Sequence, residues 1–261
     1  MFARQKTPQL IGMVHLLPLP GAPTGSPGLS AVVARAVADA RTLRAGGAQG
    51  LVIENMGDAP FARTVDAFTV AAMTTIAASV REAVPDLICG INVLRNDALA
   101  ALAIATAVGA EFVRVNVHVG TMVTDQGLIE GGARQTLLER TRLGSKVKIA
   151  ADVLVKHAVP LGACSLVEVA LDTVERGKAD IVIHSGSRTG RPPELGEFQV
   201  LREVLPNALL WLGSGLTPKM APVLVGCVDA VIVGTYLHED SNLERPLAIH
   251  RVEQVVDALV G

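Results

Sequence analysis

The sequence is poor in most features that mark a specialised role. Only 3% of its 261 residues are aromatic, so a core must be built from Ala, Val, Leu and Ile. Neither sign of charge dominates. The net charge is −2, which gives no electrostatic case for nucleic acid. The three cysteines, Cys89, Cys164 and Cys227, are odd in number, far apart and free of any CxxC pair. They make no disulfide framework, and a reducing cytoplasm is the expected location. Met1 to Gln9 has no apolar signal core. The longest suspicious run, Ala98 to Ala110, is too short to span a bilayer and reads as an Ala-rich helix. Peripheral membrane association is compatible with the sequence, but no strongly basic amphipathic segment argues for it. There is no GxGxxG after the first apolar run, no GxxxxGK[ST] and no HExxH. No cofactor or metal is therefore expected. A metal site from His15, His118, Asp152 and Glu54 has no diagnostic spacing.

What the chain does have is short apolar runs ending in small polar residues. Ile181-Val182-Ile183 runs into His184-Ser185-Gly186-Ser187, Leu209 to Leu212 into Gly213-Ser214-Gly215, and Val231-Ile232-Val233 into Gly234-Thr235. Such runs read as buried parallel strands. Five more precede them: Leu10 to His15, Gly50 to Glu54, Leu87 to Asn92, Glu111 to His118 and Val147 to Asp152. Between them, helical spacing predicts helices over about 29–43, 64–84, 97–109, 133–143, 165–176, 197–204, 218–225 and 246–259. Asp97 would cap the third and Gly109 end it. The glycine-rich stretch 119–132 reads as a lid or a packed Ω-loop. Eight β–α units without a linker predict one domain over 1–261, an α/β (β/α)8 TIM barrel. A doubly wound open sheet is the alternative.

Strand alternation selects the candidate chemistry. Arg114, Asn116 and His118 share one face of strand four and would point into the barrel. The same parity turns His15, Glu54 and Asn92 inward, with Asp152 and Lys156 in strand five and Ser185 or His184 in strand six. Polar residues at strand C-terminal ends read as a site in this fold. Glu54 and Asp152 are the catalytic acid/base candidates, since buried carboxylates are costly unless used. His15 and His118 would polarise substrate or shuttle protons. Asn92, Arg114, Asn116, Lys156, Ser185 and Arg188 would bind substrate. Each has a plainer reading: an inward Asn can be a core hydrogen bonder, Arg114 can be a structural ion pair, and Arg188 with Arg191 can be solvated loop residues. Lys156 reads either as a Schiff-base or acid/base lysine or as an anion contact. Its neighbour His157 would face the other way. Gly213, Ser214, Gly215, Gly234 and Thr235 form a predicted phosphate site, because loops after strands seven and eight bind phosphate in this fold and bare glycine backbone admits an anion. The start of the next helix at Leu216-Thr217-Pro218 would add to it.

Several motifs together resemble the BtpA/SgcQ family. They are Ile11-Gly12-Met13-Val14-His15-Leu16-Leu17-Pro18-Leu19-Pro20-Gly21, Glu54 to Phe61, Arg114 to Gly120, Thr124 to Gly127, Ala151 to His157 and the Ser-Gly-x-x-Thr-Gly run at 185–190. The resemblance covers essentially the whole chain. It implies a barrel of the ribulose-phosphate-binding kind. It also implies a cyanobacterial role in photosystem I biogenesis at the thylakoid membrane, and a small-molecule enzyme role in organisms without photosynthesis. The expected function is an enzyme that binds a phosphorylated metabolite, a sugar phosphate or nucleoside-like compound. Lyase, isomerase and glycosidic-bond hydrolase chemistry all fit. The rival is a non-enzymatic photosystem I biogenesis factor peripherally associated with a membrane. A homo-oligomer is expected.

Overall fold

A computed structural model describes residues 4, 7–186 and 194–261. Its strands, in chain order, are β1 (Gln9–His15), β2 (Gly50–Glu54), β3 (Ile88–Asn92), β4 (Phe112–Val115), β5 (Thr121–Thr124), β6 (Gly127–Glu130), β7 (Lys148–Val153), β8 (Val159–Pro160), β9 (Ile181–His184), β10 (Leu209–Leu212) and β11 (Ala230–Val233). The helices are α1 (Leu29–Ala45), α2 (Ala67–Ala83), α3 (Ala98–Val108), α4 (Ala133–Arg142), α5 (Leu166–Leu171), α6 (Leu195–Val204), α7 (Ala221–Leu224) and α8 (Ile249–Val260). Parallel strands β1-β2-β3-β4-β7-β9-β10-β11 close into a barrel, with β11 pairing back onto β1. The fold is the (β/α)8 barrel that the strand and helix rhythm predicts.

Alternation along each strand divides the apolar residues into two sets. Leu10, Val14, Leu51, Ile53, Ile91, Val113 and Val115 pack outward on the helices. Ile11, Met13, Val52, Ile88, Phe112, Ala150, Ile183, Trp211 and Ile232 fill the interior. At its centre Phe112 meets Trp211 edge-on at 5.1 Å. Gly90 makes room for them, since a Cβ there would lie 2.2 Å from Phe112 Cζ. Two of the few aromatics, Phe112 and Trp211, thus form a plug that floors the upper half of the barrel. The next inward layer is polar, and it is the floor of the site.

Asp97 caps α3 by accepting from Ala100 N at 3.0 Å, and Gly109 ends it with φ 66 in the left-handed region. Two segments depart from the sequence reading. Strand β4 stops at Val115, not His118, because the Asn96 side chain takes the next backbone groups. Its Oδ1 accepts from Val117 N at 2.8 Å and its Nδ2 donates to Val117 O at 2.9 Å. The stretch 119–132 forms a β-hairpin, not an Ω-loop. β5 and β6 pair antiparallel, β8 joins β5, and Met122 and Ile129 pack on Val117 and Val155. Among the described residues no helix is long and apolar enough to cross a membrane.

Candidate active site

One step beyond the apolar interior, each barrel strand presents one more inward residue. These are His15, Glu54, Asn92, Arg114, Asp152, Ser185, Gly213 and Gly234. In the strand register His15 pairs with Glu54, Glu54 with Asn92 and Asn92 with Arg114. Above them opens a cavity of about 970 Å³, lined by His15, Glu54, Arg114, Asn116, Lys156 and Ser185 among others. Most residues that strand parity turned inward are brought together here.

Asp152 sits beneath this cavity and does not line it. Arg114 donates to both its oxygens, from Nε at 2.8 Å and Nη2 at 3.0 Å. Asn116 Nδ2 donates at 3.1 Å and Ser185 Oγ at 3.3 Å. Asn92 supports the cluster from below, donating to Asn116 Oδ1 at 3.1 Å and to Arg114 O at 3.1 Å. Burial opposes the charge on Arg114, but Asp152 and then Glu54 outweigh it and raise its pKa above the ordinary value. The geometry sets Asp152 apart from Glu54 as an acid/base candidate. A carboxylate engaged by four donors positions Arg114 and Asn116; it has no free lone pair turned toward the cavity.

Glu54 and His15 are differently placed. Burial pushes the Glu54 carboxyl up to about 7, with Arg114 and Arg95 opposing and Asp152 adding to the shift. Its Oε1 lies 3.8 Å from His15 Nε2. The other His15 nitrogen, Nδ1, is 3.3 Å from His238 Nε2, and His238 Nδ1 is 2.6 Å from the Arg245 carbonyl. That carbonyl can only accept, which assigns the protons along the chain. His238 Nδ1 donates to it, His238 Nε2 accepts, and His15 Nδ1 donates. His15 Nε2 keeps its lone pair, facing Glu54 and the cavity. Burial, then His238 and Arg114, lower the His15 pKa to about 3, so the ring is neutral. Burial lowers His238 as well. The segment carrying His238 is tied to α1, where Asp39 accepts from Leu247 N at 3.1 Å.

His238 was not among the sequence candidates. It follows the last barrel strand in a loop without periodicity, and the usable signal was its place at the strands' C-terminal end. Arg95 was missed for the same reason. It lies beyond Asn92 in the loop after β3, is buried, lines the cavity, and donates to Lys156 O at 2.9 Å. Asn55 holds that loop, accepting from Leu94 N at 2.7 Å and donating to Asp58 Oδ2 at 3.1 Å. Lys156 lines the cavity, and burial and Arg114 lower its pKa. It does so from a turn rather than by strand parity, since β7 ends at Val153 and Leu154 has φ 53. His157 also lines the cavity instead of facing away.

Three placements differ from the sequence reading. His118 is outside the mouth: beyond the early end of β4 its Nε2 is 2.8 Å from Gly177 O, in contact with the turn after α5. The four residues weighed as a metal set are therefore not gathered. His184 points outward, with Nε2 3.0 Å from Glu197 Oε2, which leaves Ser185 as the inward residue. Helix α7 begins at Ala221 and has four residues, so no helix start at Thr217 adds to the predicted phosphate site. Arg188 lies outside the described residues.

Gly213, Ser214, Gly215, Gly234 and Thr235 all line the cavity, on the adjacent strands β10 and β11. Ser214 Oγ has no hydrogen-bond partner among the described residues. Gly213 and Gly234 also serve their neighbours. A Cβ at Gly213 would lie 2.1 Å from Ser185 Oγ, and one at Gly234 would lie 2.7 Å from His15 Cε1. Gly234→Ala is therefore expected to displace the His15 ring and break its bond to His238. The check is the hydrogen-bonded Nδ1 proton of His15 in the NMR spectrum, present in the wild type and absent in the variant.

The protein-family model for the BtpA family matches residues 5–260. The chain is 45% identical to the photosystem I biogenesis protein BtpA of Synechocystis, over 96% of this chain and 87% of that one. It is 43% identical to an uncharacterized protein of Thermococcus kodakarensis, over 95% and 94%. Among solved structures it resembles a tryptophan synthase alpha chain of Legionella pneumophila, with TM-score 0.61 at 12% identity over 98% and 92%. It also resembles an N-(5'-phosphoribosyl)anthranilate isomerase of Pyrococcus furiosus, with TM-score 0.59 at 10% identity over 97% and 98%. These structural likenesses show the barrel alone. The sequence matches show more: the chain belongs to the BtpA family.

Proposed function

We propose that this protein is an enzyme that transforms a phosphorylated small metabolite by acid/base catalysis. One observation carries the reading. A carboxyl pushed up to about 7 and a neutral imidazole with a free Nε2 face each other at 3.8 Å on one wall of a roomy cavity. Groups with such perturbed titration gather where proton transfer is performed. Below pH 7 Glu54 holds a proton to give and His15 holds a lone pair to accept one. Together they can move a proton between two atoms of a bound substrate, as an isomerase or lyase step requires, or protonate a leaving oxygen in glycosidic cleavage.

The phosphate would lie against Ser214, Gly215, Gly234 and Thr235, where an unpartnered hydroxyl and backbone close to the cavity suit an anion. Several solved barrels of similar fold are named for enzymes of phosphorylated compounds, which supports this reading without assigning it. Inorganic phosphate is expected to raise the melting temperature of the wild type. Gly215→Asp, which adds charge and a side chain at φ +82, should abolish that shift. A shift that survives the substitution moves the phosphate elsewhere.

The direct test of function is incubation of the protein with a metabolite extract, followed by mass spectrometry. A phosphorylated compound should be consumed by the wild type and spared by Glu54→Gln. The name of the Synechocystis relative favours a second reading, a photosystem I biogenesis factor bound peripherally to a membrane. That reading expects photosystem subunits to co-purify with the protein and the cavity residues to be freely replaceable. The comparable identity to a Thermococcus protein does not single out a photosystem role.

A further inference from the structure

We infer that the substrate carries two anionic groups, with a second anion, carboxylate or phosphate, seated on Arg95 and Lys156 across the barrel from the phosphate loops. The inference rests on the phosphate reading above and extends it to the opposite wall. Arg95 is 8% exposed, yet its side chain has one hydrogen bond among the described residues, to the neutral Lys156 carbonyl. No carboxylate among the described residues lies within ion-pair distance of Arg95 or of the Lys156 ammonium. A buried guanidinium without a counter-charge is costly, and such a group is expected to meet an anion when the protein works.

No neighbouring acid forms an ion pair with it among the described residues. Asp152 is spent on Arg114, Asn116 and Ser185. Glu54 faces Arg95 but is held protonated up to about pH 7. Asp125, at the tip of the β5–β6 hairpin, lines the rim and accepts from Gln126 Nε2 at 2.5 Å. Arg95, Arg114 and Lys156 therefore gather three positive groups on the wall above β3, β4 and β7, beside Asp152, which is engaged by Arg114, and Glu54, whose pKa burial raises to about 7.

The strand order places this wall. Arg95 follows β3, which is four strands from β10 and three from β11 around the eight-stranded ring, and Lys156 follows β7, two strands from β10 and three from β11. Anions at the two ends would stretch a small substrate across the mouth. Its middle would then pass the wall of β1 and β2, which carries His15 and Glu54. Two charged ends and a reactive centre between them fix the orientation that proton transfer needs.

The test is calorimetric titration of the full chain with glycerol 3-phosphate, glycerate, 3-phosphoglycerate and 1,3-propanediol bisphosphate. At least one of the two compounds with two anionic groups, 3-phosphoglycerate or 1,3-propanediol bisphosphate, should bind the wild type about tenfold or more tightly than glycerol 3-phosphate. Which of the two is preferred tells carboxylate from phosphate. Arg95→Gln should remove that advantage while leaving glycerol 3-phosphate affinity within about twofold. Arg95→Lys, which keeps the charge, should retain part of it, and Lys156→Met should reduce it independently. Equal binding of compounds with one and with two anionic groups by the wild type, or an advantage intact in both Arg95→Gln and Lys156→Met, overturns the second subsite. Glycerate binding that depends on Arg95, with no phosphate monoester bound, keeps this subsite and overturns the phosphate loops. No binding of any of the four overturns both.

Discussion

Glu54→Gln is expected to lower turnover by about 10²–10⁴-fold, the range for loss of a general acid or base, while making the fold more stable at neutral and alkaline pH. The two effects have one origin. Burial raises the folded-state pKa of Glu54 from 4.5 to about 7. Between those values the unfolded chain has released the proton and the folded chain has not. The folded state binds more protons there, so stability falls as pH rises from 4.5 and levels off above 7. A shift of two to three units corresponds to about 3 kcal/mol. Glutamine cannot ionise, so its gain over the wild type should be absent at pH 4 and approach about 3 kcal/mol above pH 7. Urea unfolding at the two pH values measures it. The wild-type rate should also fall as pH passes through 7, because the proton Glu54 gives is lost there, and the variant's residual rate should lack that limb. A wild-type rate that rises through pH 7 would make Glu54 the base instead. Unchanged turnover in the variant would remove it from the chemistry.

The parts of this site that are legible in the sequence share one property: they lie on regular strands or within a residue or so of their ends. Alternation needs only that the strand continue, so His15, Glu54, Asn92, Arg114, Asn116 and Asp152 could be turned inward from spacing alone. The closed barrel was legible for the same reason, as apolar runs alternated with helical periods. Periodicity fails where side chains replace the ladder. Asn96 takes over the backbone at Val117, ends β4, and so sends His118 out of the barrel. It fails again at Lys156, which reaches the cavity from a turn. His238 and Arg95 belong to loops, where position follows from tertiary contacts such as Asn55 to Leu94 and Asp39 to Leu247. Depth was equally hidden. Glu54 and Asp152 are both carboxylates turned inward at the C-terminal ends of barrel strands. What separates them is the number of donors each meets, which no single strand reveals.

That difference makes Asp152→Asn the variant with the largest expected cost to stability, about 3–5 kcal/mol, the usual penalty for breaking a buried ion pair from one side. The substitution keeps the shape of the side chain and removes its charge. Arg114, 11% exposed at its side chain, is left without its main counter-charge. The amide cannot reproduce the bonding either. Asp152 accepts from Arg114 Nε and Asn116 Nδ2 at Oδ2, and from Arg114 Nη2 and Ser185 Oγ at Oδ1. Whichever way the new amide is turned, its NH₂ group faces at least one N–H donor of Arg114 where an acceptor is required. Denaturant unfolding should show a lower midpoint with an unchanged slope, which marks lost stability without a change in the surface exposed. Arg114→Met combined with Asp152→Leu should recover much of the loss, since an apolar pair leaves no buried charge unmatched. Gly90, Phe112 and Trp211 below are untouched by that replacement. The competing outcome is specific: Asp152→Asn within about 1 kcal/mol of the wild type but without turnover. That result would return Asp152 to the acid/base role its strand position first indicated, and Glu54 would then have to share the proton with it.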